Sequence, residues 1–222
     1  MARKAMMILL PAAMVALGGC NWAAFLLYLG APGEEQTKTV EADYKGPGLA
    51  KHSLAVVVYA DQRIRYEYPT AQEHVTRAVR SAFTEEEVRD RIKDLRLIEA
   101  DKVLSYQERN IRWDEIDKTE LGKALGADFV LFISLSEFTT REPMSINMLR
   151  GIVSAEVAVY KTDLPERQSR VYKGEDIRVV YPKEALAGVP GYDDRDLREK
   201  TVNAFAQLVA WRFYKQKEPV EP

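Results

Sequence analysis

Apolar positions along the chain fall into runs of two periods. Residues 53–60, Ser-Leu-Ala-Val-Val-Val-Tyr-Ala, are almost uninterruptedly apolar and rich in β-branched side chains, the pattern of a strand covered on both faces. Residues 128–135 repeat it, and Ser134 and Ser136 on one side predict that this second strand emerges from under a helix. Val153, Ala155, Val157 and Val159 alternate with Ser154, Glu156 and Ala158, which predicts a strand with one buried face. Val171 to Tyr181 is its predicted hairpin partner across the polar link 163–169, with Gly174 as a bulge. Residues 95–98 predict a brief edge strand.

Between these runs the period lengthens to that of a helix. Val75, Ala78, Val79, Ala82 and Phe83 follow Pro69-Thr70 at one-face spacing. Thr84-Glu85-Glu86-Glu87 has the form of a capping box opening a second, more polar helical piece toward Leu95. A short helix is predicted around Val103 and Leu104. Another runs from Trp113 through Leu121 and Leu125, stopped by Gly126. The last has Asp193, Asp194 and Asp196 at its start and Arg212 and Lys215 near its end, a charge order that complements the helix dipole. Together these elements predict an α+β domain over residues 53–215, with a mixed sheet of about four to five strands packed with helices.

The first thirty residues differ in kind. Arg3 and Lys4 precede an apolar run over residues 5–17, followed by Leu17-Gly18-Gly19-Cys20. A basic start, an apolar stretch short for a membrane helix and small residues at the cut make a secretion signal. Leu17, Gly18, Gly19 and Cys20 resemble the lipobox of bacterial lipoproteins. The resemblance implies a signal peptide over 1–19, cleavage before Cys20 and acylation of that cysteine. At about 0.8 kcal/mol per buried methylene, several acyl chains hold a domain at a membrane essentially permanently. Apolar character continues from Trp22 to Ala31, so residues 5–31 are alternatively an uncleaved transmembrane anchor, although Pro11, Gly18, Gly19 and Asn21 interrupt it. Either way the bulk of the chain is expected to face the periplasm. Asn21, where the inner-membrane retention signal of lipoproteins has Asp, favours the outer membrane. Residues 20–52 then form the lipidated start and a tether, and 216–222 a polar tail.

Composition narrows the chemistry. One Cys and two His exclude a disulfide framework and the usual zinc sites, and no metal or cofactor is expected. Cleavage removes Arg3 and Lys4, two of 32 basic residues against 34 acidic ones, so the formal charge moves from −2 to −4. Nucleic acid is therefore not an expected partner. His52 before the first strand and His74 on the first helix lack any nucleophile-elbow pattern, and the acidic clusters at helix starts are read as caps.

The opening strand at Leu54-Ala55-Val56-Val57-Val58, the passage Glu120-Leu121-Gly122-Lys123-Ala124-Leu125-Gly126-Ala127-Asp128-Phe129-Val130 and the late hairpin carry a second resemblance. They are similar to the periplasmic domain shared by the TolB amino-terminal region, curli-secretion-type lipoproteins and lipoprotein activators of penicillin-binding proteins. That resemblance implies binding or assembly rather than catalysis. The short connections, Thr139 to Arg150 among them, argue against a curli-type pore. Apolar side chains in two connections, Met144, Ile146, Met148 and Leu149 in one and Leu186, Val189 and Tyr192 in the other, form a possible partner surface. The expectation is thus a non-enzymatic, lipid-anchored envelope module that binds another envelope protein or its own copies. The alternative is a periplasmic hydrolase or small-ligand binder using His74.

Overall fold

The computed structural model describes residues 37–141, 148–183 and 193–219. Contacts divide the chain into a main unit, Val40–Gln216, and a smaller one whose described part is residues 37–39 with 217–219. Strands β1 (Thr37–Val40) and β8 (Gln216–Pro219) pair as a two-stranded sheet, so residues expected in the tether and the tail are strands.

In the main unit, β2 (Ser53–Ala60), β3 (Arg96–Leu97), β4 (Phe129–Arg141), β5 (Leu149–Lys161), β6 (Arg170–Lys173) and β7 (Ile177–Tyr181) form one mixed sheet. Its order is β3-β2-β4-β5-β6, with β7 also paired to β5. The β3-β2 and β2-β4 pairs are parallel, and all pairs of β5 are antiparallel. The α+β class with a mixed sheet is thus observed. The strand count rises to six because 171–181 is two strands, not one bulged strand. β6 lies along Ala158–Tyr160 of β5 and β7 along Gly151–Ala155, with Gly174–Asp176 between them.

The helices are α1 (Gln62–Glu67), α2 (Ala71–Ala82), α3 (Glu86–Arg91), α4 (Ala100–Arg109), α5 (Lys118–Leu125), α6 (Glu166–Ser169) and α7 (Asp194–Trp211). Pleating sends Leu54, Val56 and Val58 of β2 and Leu131 and Ile133 of β4 to one face, where Val75 and Val79 of α2 and Val202, Phe205 and Val209 of α7 cover them. Ala55, Val57 and Val130 go to the other face, under Val103 of α4, Leu121 and Leu125 of α5, and Trp113. The uninterrupted apolar run of β2 is explained by this double cover.

At Ser136 the β4–β5 register shifts between Leu135 and Glu137. One extra residue reverses the pleat, which returns Phe138 to the α2/α7 core. Strand β4 therefore continues to Arg141 and β5 begins at Leu149, so both ends of the expected connection 139–150 belong to the ladder. On β5, a Cβ at Gly151 would lie 1.9 Å from Thr201 Oγ1, and this missing side chain lets α7 approach the sheet. β3 covers only the start of β2. Beyond it, the Val58 carbonyl accepts a 3.1 Å hydrogen bond from Gln107 Nε2, and Gln107 Oε1 accepts one from Gln72 Nε2, so two side chains occupy part of the open edge where a strand would pair.

Two local expectations are corrected, and one helix is added. Thr84 does not cap α3, because its hydroxyl donates back to the Ser81 carbonyl and Glu85 holds the N-cap position. α5 starts at Lys118 rather than Trp113, since Asp117 accepts the Thr119 N–H and fixes the start there. α1 was not foreseen. Its signal is Asp61, whose carboxylate accepts the Ile64 N–H at 2.8 Å.

Candidate functional site

Leu17, Gly18, Gly19, Cys20, Met144, Ile146, Leu186, Val189 and Tyr192 lie outside the described residues, as does the alternative anchor 5–31. Among the described residues, no helix is long and apolar enough to cross a membrane. Met148 and Leu149 are half-buried, and Leu149 stands opposite Arg141 where the β4–β5 ladder ends.

The segment before β2 packs within the main unit rather than extending from it. Tyr44 N donates to the Arg212 carbonyl at 2.8 Å, and Asp43 takes both the Tyr172 hydroxyl at 2.6 Å and Arg212 Nη1 at 3.0 Å. The Tyr44 ring lies 5.0 Å from Phe213 and 5.3 Å from Tyr172, and Leu49 is buried. Burial pushes the Tyr44 hydroxyl up to about 12. Burial, with Asp43 adding to it, pushes Tyr172 higher still.

Serine, histidine and aspartate do meet at one point, where β2 and β4 begin. Asp128 Oδ2 accepts Ser53 N and Ser53 Oγ, each at 2.8 Å, and Ser53 Oγ accepts Asp128 N at 2.9 Å. His52 Nδ1 is 3.5 Å from the same carboxylate oxygen. Hydrogen bonds from the Ser53 backbone and hydroxyl hold the Asp128 carboxyl below its ordinary range. A hydrolytic triad needs the base between acid and nucleophile. Here the serine hydroxyl donates straight to the carboxylate with no histidine between them, and Ser53 is buried. The cluster is a tie between two strands. It also explains Gly126-Ala127-Asp128: Gly126 ends α5 at φ 70°, Ala127 is buried, and Asp128 fastens β4 to β2.

Lys118 is half-buried at the start of α5. Burial lowers its pKa, outweighing nearby Asp114 and Asp117. Its Nζ donates to the Asp114 and Ile116 carbonyls at 2.8 and 3.1 Å and sits 4.6 Å from the centre of the Phe132 ring. These contacts engage the ammonium in holding the turn before α5.

His74 is exposed on α2, yet it lines a groove of about 360 Å³ between α2 and α7. Ser81 and Arg77 share its α2 wall, while Arg195, Arg198, Glu199 and Asn203 form the α7 wall over Ala78 and Val202. Among the described residues no hydrogen bond joins the His74 ring to Ser81 or Glu199. Arg77 is engaged by Glu73 and Asp101. Arg198 pairs with Asp194, which also takes the Thr140 hydroxyl. Burial pushes Asp194 up, but those two hydrogen bonds outweigh it and hold the carboxyl below its usual range. Asp193 caps α7 by accepting Arg195 N at 3.0 Å, as read from the acidic cluster. No group of three or more metal-ligating side chains occurs among the described residues.

No family model and no curated protein matches the sequence. Solved structures similar to it include the PelC dodecamer from Paraburkholderia phytofirmans, 9% identical over 80% of this chain and 99% of that one, with a TM-score of 0.43. Lipoprotein GNA1162 from Neisseria meningitidis is 16% identical over 72% and 98%, with a TM-score of 0.41. Protein XCC0632 from Xanthomonas campestris is 13% identical over 78% and 88%, with a TM-score of 0.45. Similarities of this size leave the family open, and the reading of function rests on the chain's own residues.

Proposed function

We propose that the protein is a lipid-anchored module of the bacterial cell envelope, held through Cys20 and facing the periplasm from the outer membrane. In this reading the folded unit binds another envelope protein or further copies of itself and catalyses no reaction. The observation that carries the reading is Leu17-Gly18-Gly19-Cys20 placed after a basic start and a short apolar run. The narrower kinship with the TolB, curli-secretion and penicillin-binding-protein-activator lipoproteins is part of the same proposal. It is supported by the Gly126-Ala127-Asp128 passage into a central strand. Intact-mass measurement of the mature chain tests the anchor: a mass starting at Cys20 with added acyl groups is expected, and a chain retaining Met1 overturns lipidation in favour of a membrane helix. Crosslinking in intact envelopes tests the binding role, which fails if only monomer and abundant bystanders are recovered.

One observation favours a second reading, a hydrolase or small-ligand binder, because His74 shares its groove with Ser81 and Glu199. A His74→Ala variant indistinguishable from the parent in esterase, peptidase and ligand-binding screens would remove it.

A further inference from the structure

The groove between α2 and α7 concentrates polar side chains, only some of which have partners within the fold. Arg195 is exposed, has no ion-pair partner among the described residues, and is one of the residues lining the groove. Arg198 gives one nitrogen to Asp194, while its Nε is buried without an acceptor. That unpaired donor is a standing cost to the fold, and Arg198 keeps 27% of its side chain exposed. On the facing α2 wall stands His74, and Ala78 and Val202 make an apolar floor. The site is not indiscriminately basic. Arg77 is neutralised by Glu73 and Asp101, Asp194 offsets part of Arg198, and Glu199 lies on the same wall.

We propose that this groove binds the phosphate group of a mono- or diester, with Arg195 and Arg198 donating from α7 and His74 lying across from them on α2. Guanidinium groups match phosphate oxygens in pairs. A phosphate group presents more acceptor oxygens than a carboxylate, spread in three dimensions, and about 360 Å³ leaves room for the ester group over the apolar floor. The phosphate could belong to a lipid headgroup or to a soluble ester. The inference is independent of lipidation at Cys20.

The test uses the full chain in a sugar detergent, titrated separately with inorganic phosphate and with monomeric short-chain phosphatidylglycerol, and read by calorimetry and by the His74 ring resonances. Saturable binding of at least one probe with movement of those resonances is expected. Arg195→Gln should weaken it about tenfold, the loss of one charge-assisted hydrogen bond, without moving the thermal midpoint. Arg109→Gln, which alters a guanidinium on α4 that donates to the Ser105 carbonyl, should leave binding unchanged. Tighter binding of the lipid assigns the ligand to a headgroup, and equal or weaker binding assigns it to a soluble ester. The proposal is overturned if neither probe saturates, if Arg195→Gln binds like the parent, or if Arg109→Gln weakens binding as much.

Discussion

Asp128 shows how much a single side chain can settle. Its carboxylate joins the first residues of the two central strands, so Asp128→Ala should destabilise the domain by about 1–2 kcal/mol, at the low end for a charged acceptor because the group is half-exposed. The pH dependence follows in sign. The folded state holds this carboxyl below its ordinary 3.8, so its contribution is complete above that value and is lost as the pH falls through the folded one. Urea unfolding at neutral and acid pH checks it: the gap between parent and variant should close in acid. Gly151 makes the opposite case, an absent side chain that the packing requires. Gly151→Ala should cost about 1–3 kcal/mol by overpacking against Thr201, and adding Thr201→Ala should recover part of that in a double-mutant cycle.

At the scale of elements, the open edge of β2 depends on Gln107, since among the described residues no strand pairs there beyond β3. Gln107→Leu leaves the Val58 carbonyl without its donor and should lower stability by about 1–3 kcal/mol, with faster hydrogen exchange along β2 as the local readout. The docked segment 43–49 carries its own signature. Burial raises Tyr44 from 10.0 to about 12, so its contribution to stability is complete below pH 10.0 and disappears as the pH rises through about 12. Tyrosinate absorbance should show a late-ionising component that coincides with loss of structure and is reduced in Tyr44→Phe. The element order was legible because each strand and helix has its own apolar period. The split of 171–181 was not, because it depends on where β5 offers pairing partners rather than on local sequence. The helix start at Asp117 was hidden by the apolar Trp113, which fills the second core without being helical.

For the molecule as a whole, position relative to a membrane is the leading question. Changing Cys20 to Ser should leave the domain folded but block acylation and cleavage. Under the proposed lipidation, fractionation should then show an uncleaved precursor in place of a chain beginning at Cys20. A mature chain still beginning at residue 20 in that variant would mean that another route cuts it. The histidines illustrate the limit of reading such a molecule from its sequence. His52 and His74 look alike along the chain, yet one joins a strand tie with Asp128 and Phe129 and the other faces a groove built by a helix 120 residues away in sequence.

The sequence by itself determined the periodic elements and the α+β class, and it alone carries the resemblance to a lipobox, because each is encoded in neighbouring residues and read at short range. Tertiary structure alone decided that Ser53 and Asp128 clamp each other, that Gln107 guards an edge, that segment 43–49 packs on the domain, and that Arg195, Arg198 and His74 share one groove. Those facts join residues tens to more than a hundred positions apart, and only strand pairing and the packing of helices on the sheet bring such residues together.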